Sequence, residues 1–200
     1  MTPNRPDSDV PESFAALIDQ LWAFDWAPQM TVEQLNPPRS IAPFAAAAAA
    51  SVEVSEEESS EGKLILLHDP ARPEAWGGDL RCVTFATADL DRHMVYQEDR
   101  PETAWAWLSE ALRQYEAQFD ALSGTVTIVS NTSFSGSKLK PGQASIEIRA
   151  SWTPVLEQAQ DLARHLRAWQ SLMMLSAGLP PLDLDYDPLS GPDAWLCSVV

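Results

Sequence analysis

Cysteines and basic residues are both scarce in this chain. Cysteine occurs only as Cys82 and Cys197, and no CxxC or Cys/His ligand spacing is present. Neither a disulfide framework nor a zinc site is indicated, and a reducing cytoplasm is the expected location. Lys and Arg number 13 against 29 Asp and Glu, which gives a formal net charge of −16. Because this field repels phosphates and anionic headgroups, we expect no direct binding to nucleic acid or membranes.

Long apolar runs and familiar catalytic motifs are also absent. No apolar run approaches the roughly 20 residues of a membrane span, and the polar N-terminus lacks the apolar core of a signal peptide. A GxSxG elbow, a Walker-type loop, a GxGxxG turn and an HExxH helix are missing. With only 3 histidines, no metal site is indicated, and no cofactor is expected. The sequence therefore favours a soluble, non-catalytic protein, although a site assembled from distant residues leaves no local pattern.

The hydrophobic content is sufficient for one well-buried core. Hydrophobic residues make up 45% of the chain, and 8 tryptophans supply large apolar areas. We predict a flexible lead at 1–10, a single domain at 11–181 and an extended acidic tail at 182–200. Aspartates in the tail alternate with leucine and tyrosine, but the glycine and distal glutamate of a calcium loop are missing.

Alternating hydrophobicity predicts a sheet with one buried side. The clearest strand places Ile146, Ile148, Ala150 and Trp152 on one face, and Glu147, Arg149 and Ser151 on the other. The alanine run at 45–50 has the propensity of a helix, yet its flanking apolar alternation favours a strand. Since strands and helices do not alternate regularly, we predict an α+β fold. Its core is a single antiparallel sheet of about five to six strands, with helices packed mainly on one face.

Three helices are predicted from periodicity and punctuation. The first begins near Pro11 and is ended by Pro28. The second begins at Pro101 and carries a single apolar stripe formed by Trp105, Leu108, Leu112, Tyr115 and Phe119. The third spans roughly 155–177 and ends at Gly178.

Two polar segments are predicted as loops between strands. Residues 55–62 are too polar and too acidic for a core, so they predict a solvated hairpin loop. An acidic tip that binds a partner is the less favoured interpretation. Residues 130–142 are rich in Ser, Asn, Thr and Gly, which predicts a long, mobile loop in a hairpin.

The segment His68-Asp69-Pro70 is the local candidate for chemistry. It follows a predicted strand, and a histidine on a loop that leaves a rigid sheet is well placed to titrate near neutral pH. A purely structural interpretation is an Asx-type turn, because Asp before Pro forms turns readily. We favour the turn and retain His68 and Asp69 as ligand or interface candidates.

Charged and aromatic side chains supply the remaining candidates. Glu147 and Arg149 project from one side of a strand, and Arg81 on another strand would complete a clamp for a carboxylate or phosphate. A solvent-facing ladder of ion pairs explains the same pattern and is favoured. Trp76, in a glycine-rich turn, and Trp107, off its helix stripe, are not explained as core residues. They are therefore interface candidates.

An ordered set of motifs across roughly 14–181 resembles one known family. The motifs are Leu66-Leu67-His68-Asp69-Pro70, Glu74-Ala75-Trp76-Gly77-Gly78, Trp105-x-Trp107-Leu108, Gly124-Thr125-Val126-Thr127, Glu147-Ile148-Arg149-Ala150-Ser151-Trp152-Thr153-Pro154 and Gly178-Leu179-Pro180-Pro181. The family is actinobacterial, of about this length, and classified as a domain of unknown function, so the resemblance implies no catalytic residues. Its members are often encoded beside a ribonuclease D-like exonuclease. This neighbourhood implies an acidic protein that binds or regulates a basic nucleic-acid enzyme.

Two functions are compatible with the sequence. The favoured hypothesis is a cytoplasmic, non-catalytic module that binds or regulates a protein partner, such as a basic protein or a nucleic-acid enzyme. The alternative is a small-molecule-binding domain or enzyme whose pocket lies near His68, Arg81 and Arg149, and it requires these side chains to converge. The sequence gives no indication of the oligomeric state.

Overall fold

A computed structural model describes residues 10–38, 40–54, 59–90, 100–135 and 138–180. Within these ranges the strands are β1 (Met30–Leu35), β2 (Phe44–Glu53), β3 (Ser59–His68), β4 (Leu80–Leu90), β5 (Phe119–Ser135) and β6 (Lys138–Pro154). The helices are α1 (Glu12–Ala23), α2 (Arg100–Gln114) and α3 (Leu162–Ser176). The predicted tail at 182–200 lies outside the described residues, and so does the predicted lead, apart from Val10.

All six strands form one antiparallel sheet in the spatial order β1-β2-β3-β4-β6-β5. The first four strands are neighbours in chain order. After β4, the chain passes through α2 to the edge position of β5 and then returns as β6, which lies between β4 and β5. The prediction of an α+β fold built on a single antiparallel sheet is thereby confirmed.

In β2, β3, β4 and β6, even-numbered side chains lie on one face of the sheet and odd-numbered side chains lie on the other. Even-numbered side chains of these strands join the main core cluster, together with apolar side chains of all three helices. Helix α3 lies in the middle of this covered face, where Leu166, Trp169 and Leu172 are fully buried. Odd-numbered side chains of the same strands form the opposite side, named here the open face.

The alanine run at 45–50 is a strand, as predicted, and its small side chains let α3 approach the sheet closely. Ala48 is fully buried, and Ala46 and Ala50 are nearly so. Gly62 on β3 lies opposite Ala50, and a Cβ atom at Gly62 would collide with the sulfur of Met173 in α3. This close packing explains why the covered face uses alanine and glycine beneath the helix.

Buried hydrogen bonds fix the orientation of α3 on the sheet. The indole N–H of Trp169 donates to Oγ1 of Thr84 at 2.9 Å, and the hydroxyl of Ser60 donates to the carbonyl of Met173 at 2.8 Å. Each bond joins the helix to a different strand. Because an unpaired polar group is costly in such a core, these bonds favour one helix register over others.

The first two helices end earlier than predicted. Helix α1 ends at Ala23, and Phe24 is already extended, so Pro28 does not cause the termination. Helix α2 ends at Gln114, because Glu116 adopts a left-handed conformation with φ of 52°. The predicted stripe was therefore wrong at its C-terminal end, where Phe119 is the first residue of β5.

The third helix begins later than predicted. Strand β6 continues through Pro154, and a 3-10 turn at Ala159–Asp161 precedes the first residue of α3, Leu162. The carboxylate of Asp161 accepts hydrogen bonds from the backbone N–H groups of Glu157 and Gln158, at 3.1 and 3.0 Å. This local capping favours a turn where the periodicity indicated a continuous helix. The predicted end is correct, since Gly178 has φ of 75°.

Both predicted loops are shorter than expected. Strands β5 and β6 continue their ladder as far as the pair Ser135 and Lys138, so most of 130–142 is strand rather than mobile loop. Strand β3 begins at Ser59, and only 55–58 of the predicted acidic loop lies outside the described residues. Polar Ser and Thr segments form strands here because ladder hydrogen bonds, rather than apolar burial, hold them.

None of the helices in the described ranges has the length and apolarity needed to cross a membrane.

Candidate functional site

The open face of the sheet is the main candidate surface. In the described part of the chain, only the even-numbered residues of β2, β3, β4 and β6 join the core cluster. The helices therefore pack on the face opposite the open face. The open face nevertheless carries partly exposed apolar side chains near its middle, namely those of Ala45, Ala49, Ile65, Val83 and Phe85. Apolar groups on both sides of an antiparallel sheet are typical of a surface that is covered by a partner.

Charged side chains surround this apolar region. Arg149 on β6 lies directly across from Phe85 on β4, and its guanidinium carbon is 5.5 Å from the ring centroid of Phe85. The Nε atom of Arg149 is 2.8 Å from a carboxylate oxygen of Glu147. Both charged side chains retain solvent contact, so this ion pair contributes at most about 1 kcal/mol to stability. Its greater effect is to hold the Arg149 guanidinium over the aromatic ring.

A shallow groove crosses one end of the open face. Its volume is about 360 Å³, and its walls combine alanine and phenylalanine with acidic and basic side chains: Thr31, Glu33, Ala49, Ala50, Ser51, Glu61, Gly62, Lys63 and Phe85. The groove spans β1 to β4 rather than enclosing a deep cavity. Such a shape fits an extended segment or a side chain of a partner better than a buried small molecule.

Arg81 lies on the open face, at the opposite end of β4 from the groove. Its side chain is buried, and its guanidinium donates to four neutral oxygens: the Ala121 carbonyl at 2.9 Å and the hydroxyls of Ser151 at 2.7 Å, Thr153 at 3.1 Å and Ser123 at 3.3 Å. Burial lowers the pKa of the guanidinium from its usual value, yet arginine stays charged at neutral pH. Within the described residues, no carboxylate pairs with it. Arg81 therefore connects β4, β5 and β6.

The loop between β3 and β4 borders this end of the open face. The hydroxyl of Thr153 donates to the carbonyl of Trp76, while the Asp69 N–H donates to the Asp79 carbonyl at 2.8 Å. The side chain of Asp69 accepts from the N–H of Ala71 at 2.9 Å, which is an Asx turn. Trp76 is thus positioned beside Arg81 at the rim of the open face.

His68 lies on the covered face, away from the other charged candidates. Its ring stacks between Phe14 and Phe44, with centroid distances of 5.5 and 5.8 Å, and its Nδ1 is 3.2 Å from the Asp79 carbonyl oxygen. The sheet itself separates His68 from Arg81. The candidate histidine therefore packs as part of the core between α1 and β2.

Arg81 and Arg149 share the open face but are far apart along it. Arg149 is the cross-strand partner of Phe85, four residues beyond Arg81 on β4, which corresponds to about 13 Å. Trp107 lies on α2 and packs against the core on the covered side. Trp76, Arg81, Glu147 and Arg149 are thus on or beside the open face, whereas His68 and Trp107 are on the other side.

Sequence reasoning missed Phe85, Ile65 and Lys63 as site residues. A signal was present for Ile65 alone, because the run 64–67 is continuously apolar rather than alternating. In an antiparallel sheet, such a run places apolar side chains on both faces. Among the described residues, no group of three or more His, Cys, Asp and Glu side chains could hold a metal ion.

Comparison with known proteins places the chain in one family. No curated protein and no solved structure matches the chain. A family model does match over residues 10–185, which include every described element. The chain therefore belongs to DUF3000, a family of proteins of unknown function.

Proposed function

We propose that this protein is a non-catalytic protein-binding or regulatory module, and that the open face of its sheet is the binding surface. The observation that carries this proposal is the apolar centre of that face. Ile65, Val83 and Phe85 remain partly exposed on central strands, although helices cover only the other side in the described structure. Burying such a region against a partner favours binding by about 25 cal/mol for each Å² of apolar area that is removed from water.

The charge of the protein favours a basic partner. The formal net charge of −16 attracts basic surfaces from a distance and accelerates their encounter. At the groove, Glu33 and Glu61 provide carboxylates beside Lys63. Glu147 adds a further carboxylate near the apolar centre. A basic protein, including a basic nucleic-acid enzyme, is complementary both to the net negative charge and to these local carboxylates.

The partner is expected to meet the protein in the cytoplasm. Cys82 is a free thiol that is buried beneath the helices, and burial raises its pKa above the usual range. A reduced, unreactive cysteine is compatible with a reducing compartment.

The alternative function, a small-molecule pocket near His68, Arg81 and Arg149, is less well supported. Those side chains do not converge, because His68 is on the covered face and the positions of the two arginines differ by about 13 Å along the strand direction. A second groove, of about 550 Å³, lies between the end of α1 and α3. Neither groove contains any of these three residues.

Affinity capture from cells that encode the protein tests the proposal. Wild type is compared with Phe85→Lys, which replaces the aromatic centre of the open face by a cation that repels a basic partner. Gln114→Lys is the matched control, because it introduces the same charge at an exposed position on α2, in the helical layer. All three proteins are first compared by circular dichroism and thermal unfolding.

A protein that is captured by wild type and Gln114→Lys but lost with folded Phe85→Lys supports the proposal. Equal capture by both variants would place the interface elsewhere. Absence of any stoichiometric protein partner, together with binding of a metabolite that depends on Arg81 or Arg149, would instead support the small-molecule alternative.

A further inference from the structure

Between its two register shifts, the outer edge of β5 has no charge, no proline and no covering strand among the described residues. Strand β5 is the last strand of the sheet and pairs only with β6 among the described residues. It is 17 residues long, contains no proline, and has no charged residue from Ala121 to its end. Natural edge strands are normally short, charged, interrupted by proline or covered, since their free N–H and C=O groups attract other strands.

The opposite edge of the same sheet shows this protection. Strand β1 has only 6 residues, its Glu33 is exposed, and Pro37 and Pro38 follow it. The two edges of one molecule therefore differ in length, charge and proline content. This contrast singles out β5 as the edge that is available for pairing.

The side chains around the β5 edge are accessible. Thr125, Thr127 and Val129 are all exposed, and Val129 retains 43% of its accessible surface. Helix α2 packs on the covered face of β5, where a Cβ atom at Gly124 would lie 2.7 Å from the Trp105 ring. The helix covers one face of the strand and leaves these threonine and valine side chains in solvent.

The regular part of β5 is bounded by two irregularities. Register shifts occur between Asp120 and Ser123 and between Ser130 and Thr132. Arg81 fixes the first of them through bonds to the Ala121 carbonyl and the Ser123 hydroxyl. Residues 123–130 are therefore an uninterrupted strand segment whose ends are defined by the fold.

The charge distribution indicates what pairs with this edge. The chain carries −16 overall, so two copies repel one another over most of their surface. Residues 121–137 contain no charged residue, although the chain as a whole has 29 Asp and Glu. Glu147, which lies across from Thr127 on β6, is paired with Arg149, so this ion pair adds no net charge beside 123–130. A basic partner would find no carboxylate on the segment itself, whereas a second copy would meet a neutral strand rich in Thr and Val.

We propose that β5 is a self-association interface, through which two copies of this chain pair their edges in antiparallel orientation and join their sheets into one. A two-fold axis perpendicular to the sheet relates the copies, so each residue lies across from its counterpart around the centre of 123–130. Thr127 lies at this centre or within one pair of it. Pairing then brings β-branched Thr and Val residues together, a favourable combination in cross-strand pairs. This interface is distinct from the open face and does not depend on the function proposed for that face.

Sedimentation equilibrium of the full chain, over about 5–200 μM, tests the inference, a range in which weak self-association is detected. We expect wild type to approach twice the monomer mass of 22.0 kDa. Thr127→Glu adds a carboxylate beside Glu147, its cross-strand neighbour on β6, so like charges meet across the axis and self-association weakens by about ten-fold or more. Thr31→Glu is the matched control, because it makes the same replacement at an exposed position on the opposite edge, and it should dimerise like wild type.

Mixing Thr127→Lys with Thr127→Glu separates loss of pairing from loss of folding. Thr127→Glu alone is expected to be monomeric, and the mixture should recover the dimer mass because opposite charges now face each other. A wild type that stays at 22.0 kDa throughout would overturn the inference. A dimer that is insensitive to Thr127→Glu would also overturn it. Phe85→Lys should leave the dimer intact, so failure of the open-face proposal would not affect this result.

Discussion

The indole N–H of Trp152 donates a hydrogen bond to Nδ1 of His165 at 3.1 Å, inside the layer between β6 and α3. Both residues are almost completely buried. Because Nδ1 accepts this bond, the neutral imidazole must carry its proton on Nε2. Burial lowers the pKa of His165 to about 4; Asp161 partly opposes the effect and Arg164 adds to it.

The stability of the protein should therefore depend on His165 at mildly acidic pH. Between about pH 6.5 and about pH 4, the unfolded chain protonates this histidine and the native protein does not. Unfolding is then coupled to proton uptake, so the free energy of unfolding falls as the pH falls through this window. The loss approaches ~3 kcal/mol at its lower end. Urea unfolding at a series of pH values measures it.

A His165→Asn variant provides the control for this prediction. Asparagine keeps an acceptor for the Trp152 indole and cannot titrate, so its stability curve should be flatter than that of wild type between about pH 6.5 and about pH 4.5. Carboxylates contribute equally to both proteins and cancel in the comparison. Parallel curves would contradict the assignment of a neutral, buried His165.

Arg81 should be essential for the geometry of the sheet edge even though it has no acidic partner among the described residues. Its planar fork reaches oxygens on both β5 and β6, and a lysine ammonium cannot make the same set of bonds. We expect Arg81→Lys to lower the free energy of unfolding by about 2–3 kcal/mol. Hydrogen exchange should also accelerate around Ala121 and Ser123, where the bulge loses its support.

Arg149→Lys is the matched comparison for Arg81→Lys. Arg149 is exposed and makes one ion pair, with Glu147, so the same replacement should change stability by no more than about 0.5 kcal/mol. A similar decrease in the free energy of unfolding for both variants would show that the buried hydrogen bonds of Arg81 do not stabilise the protein more than the exposed ion pair of Arg149.

Elements that bury a periodic set of apolar side chains could be predicted from the sequence. Elements that are stabilised mainly by hydrogen bonds to a neighbouring strand could not. Trp152 and Ile148 alternate with polar residues, and Leu108 and Leu112 share a helix face, so β6 and α2 were recognised. The outer part of β5 carries Ser, Asn and Thr, a composition shared by strands and loops. Its strand state depends on pairing with β6, which a local pattern does not contain.

The candidate site was predicted only in part, for a related reason. Glu147 and Arg149 are two residues apart on one strand, so their common side follows from alternation alone. The approach of Phe85 to Arg149 depends on the register between β4 and β6, and the position of His68 depends on α1 packing over β3. Register and layer packing are set by long-range contacts, and no short motif encodes them.

Substitution of Gly124 and of Gly77 by alanine should destabilise the protein for different reasons. A Cβ atom at Gly124 would overlap the backbone carbonyl of Arg149 and lie 2.7 Å from Cζ3 of Trp105, so Gly124→Ala forces the β5–β6 ladder apart. We expect a loss of about 2–3 kcal/mol. Gly77 has φ of 71° with open space around it, so Gly77→Ala costs only the backbone strain, about 1 kcal/mol. Chemical unfolding of both variants measures the difference, and equal losses would contradict the packing at Gly124.

Trp76→Ala and Trp107→Ala should separate binding from folding. Trp76 lies at the rim of the open face, where its carbonyl accepts from Thr153, so truncation should reduce binding of the captured partner by about ten-fold with little change in stability. Trp107 packs against the core from α2, so Trp107→Ala should lower the free energy of unfolding by about 2–4 kcal/mol while binding persists below the melting temperature. Titration calorimetry and thermal unfolding of both variants measure the two effects. Loss of binding with folded Trp107→Ala, but not with Trp76→Ala, would move the interface to the helical side, because the sheet lies between these two tryptophans.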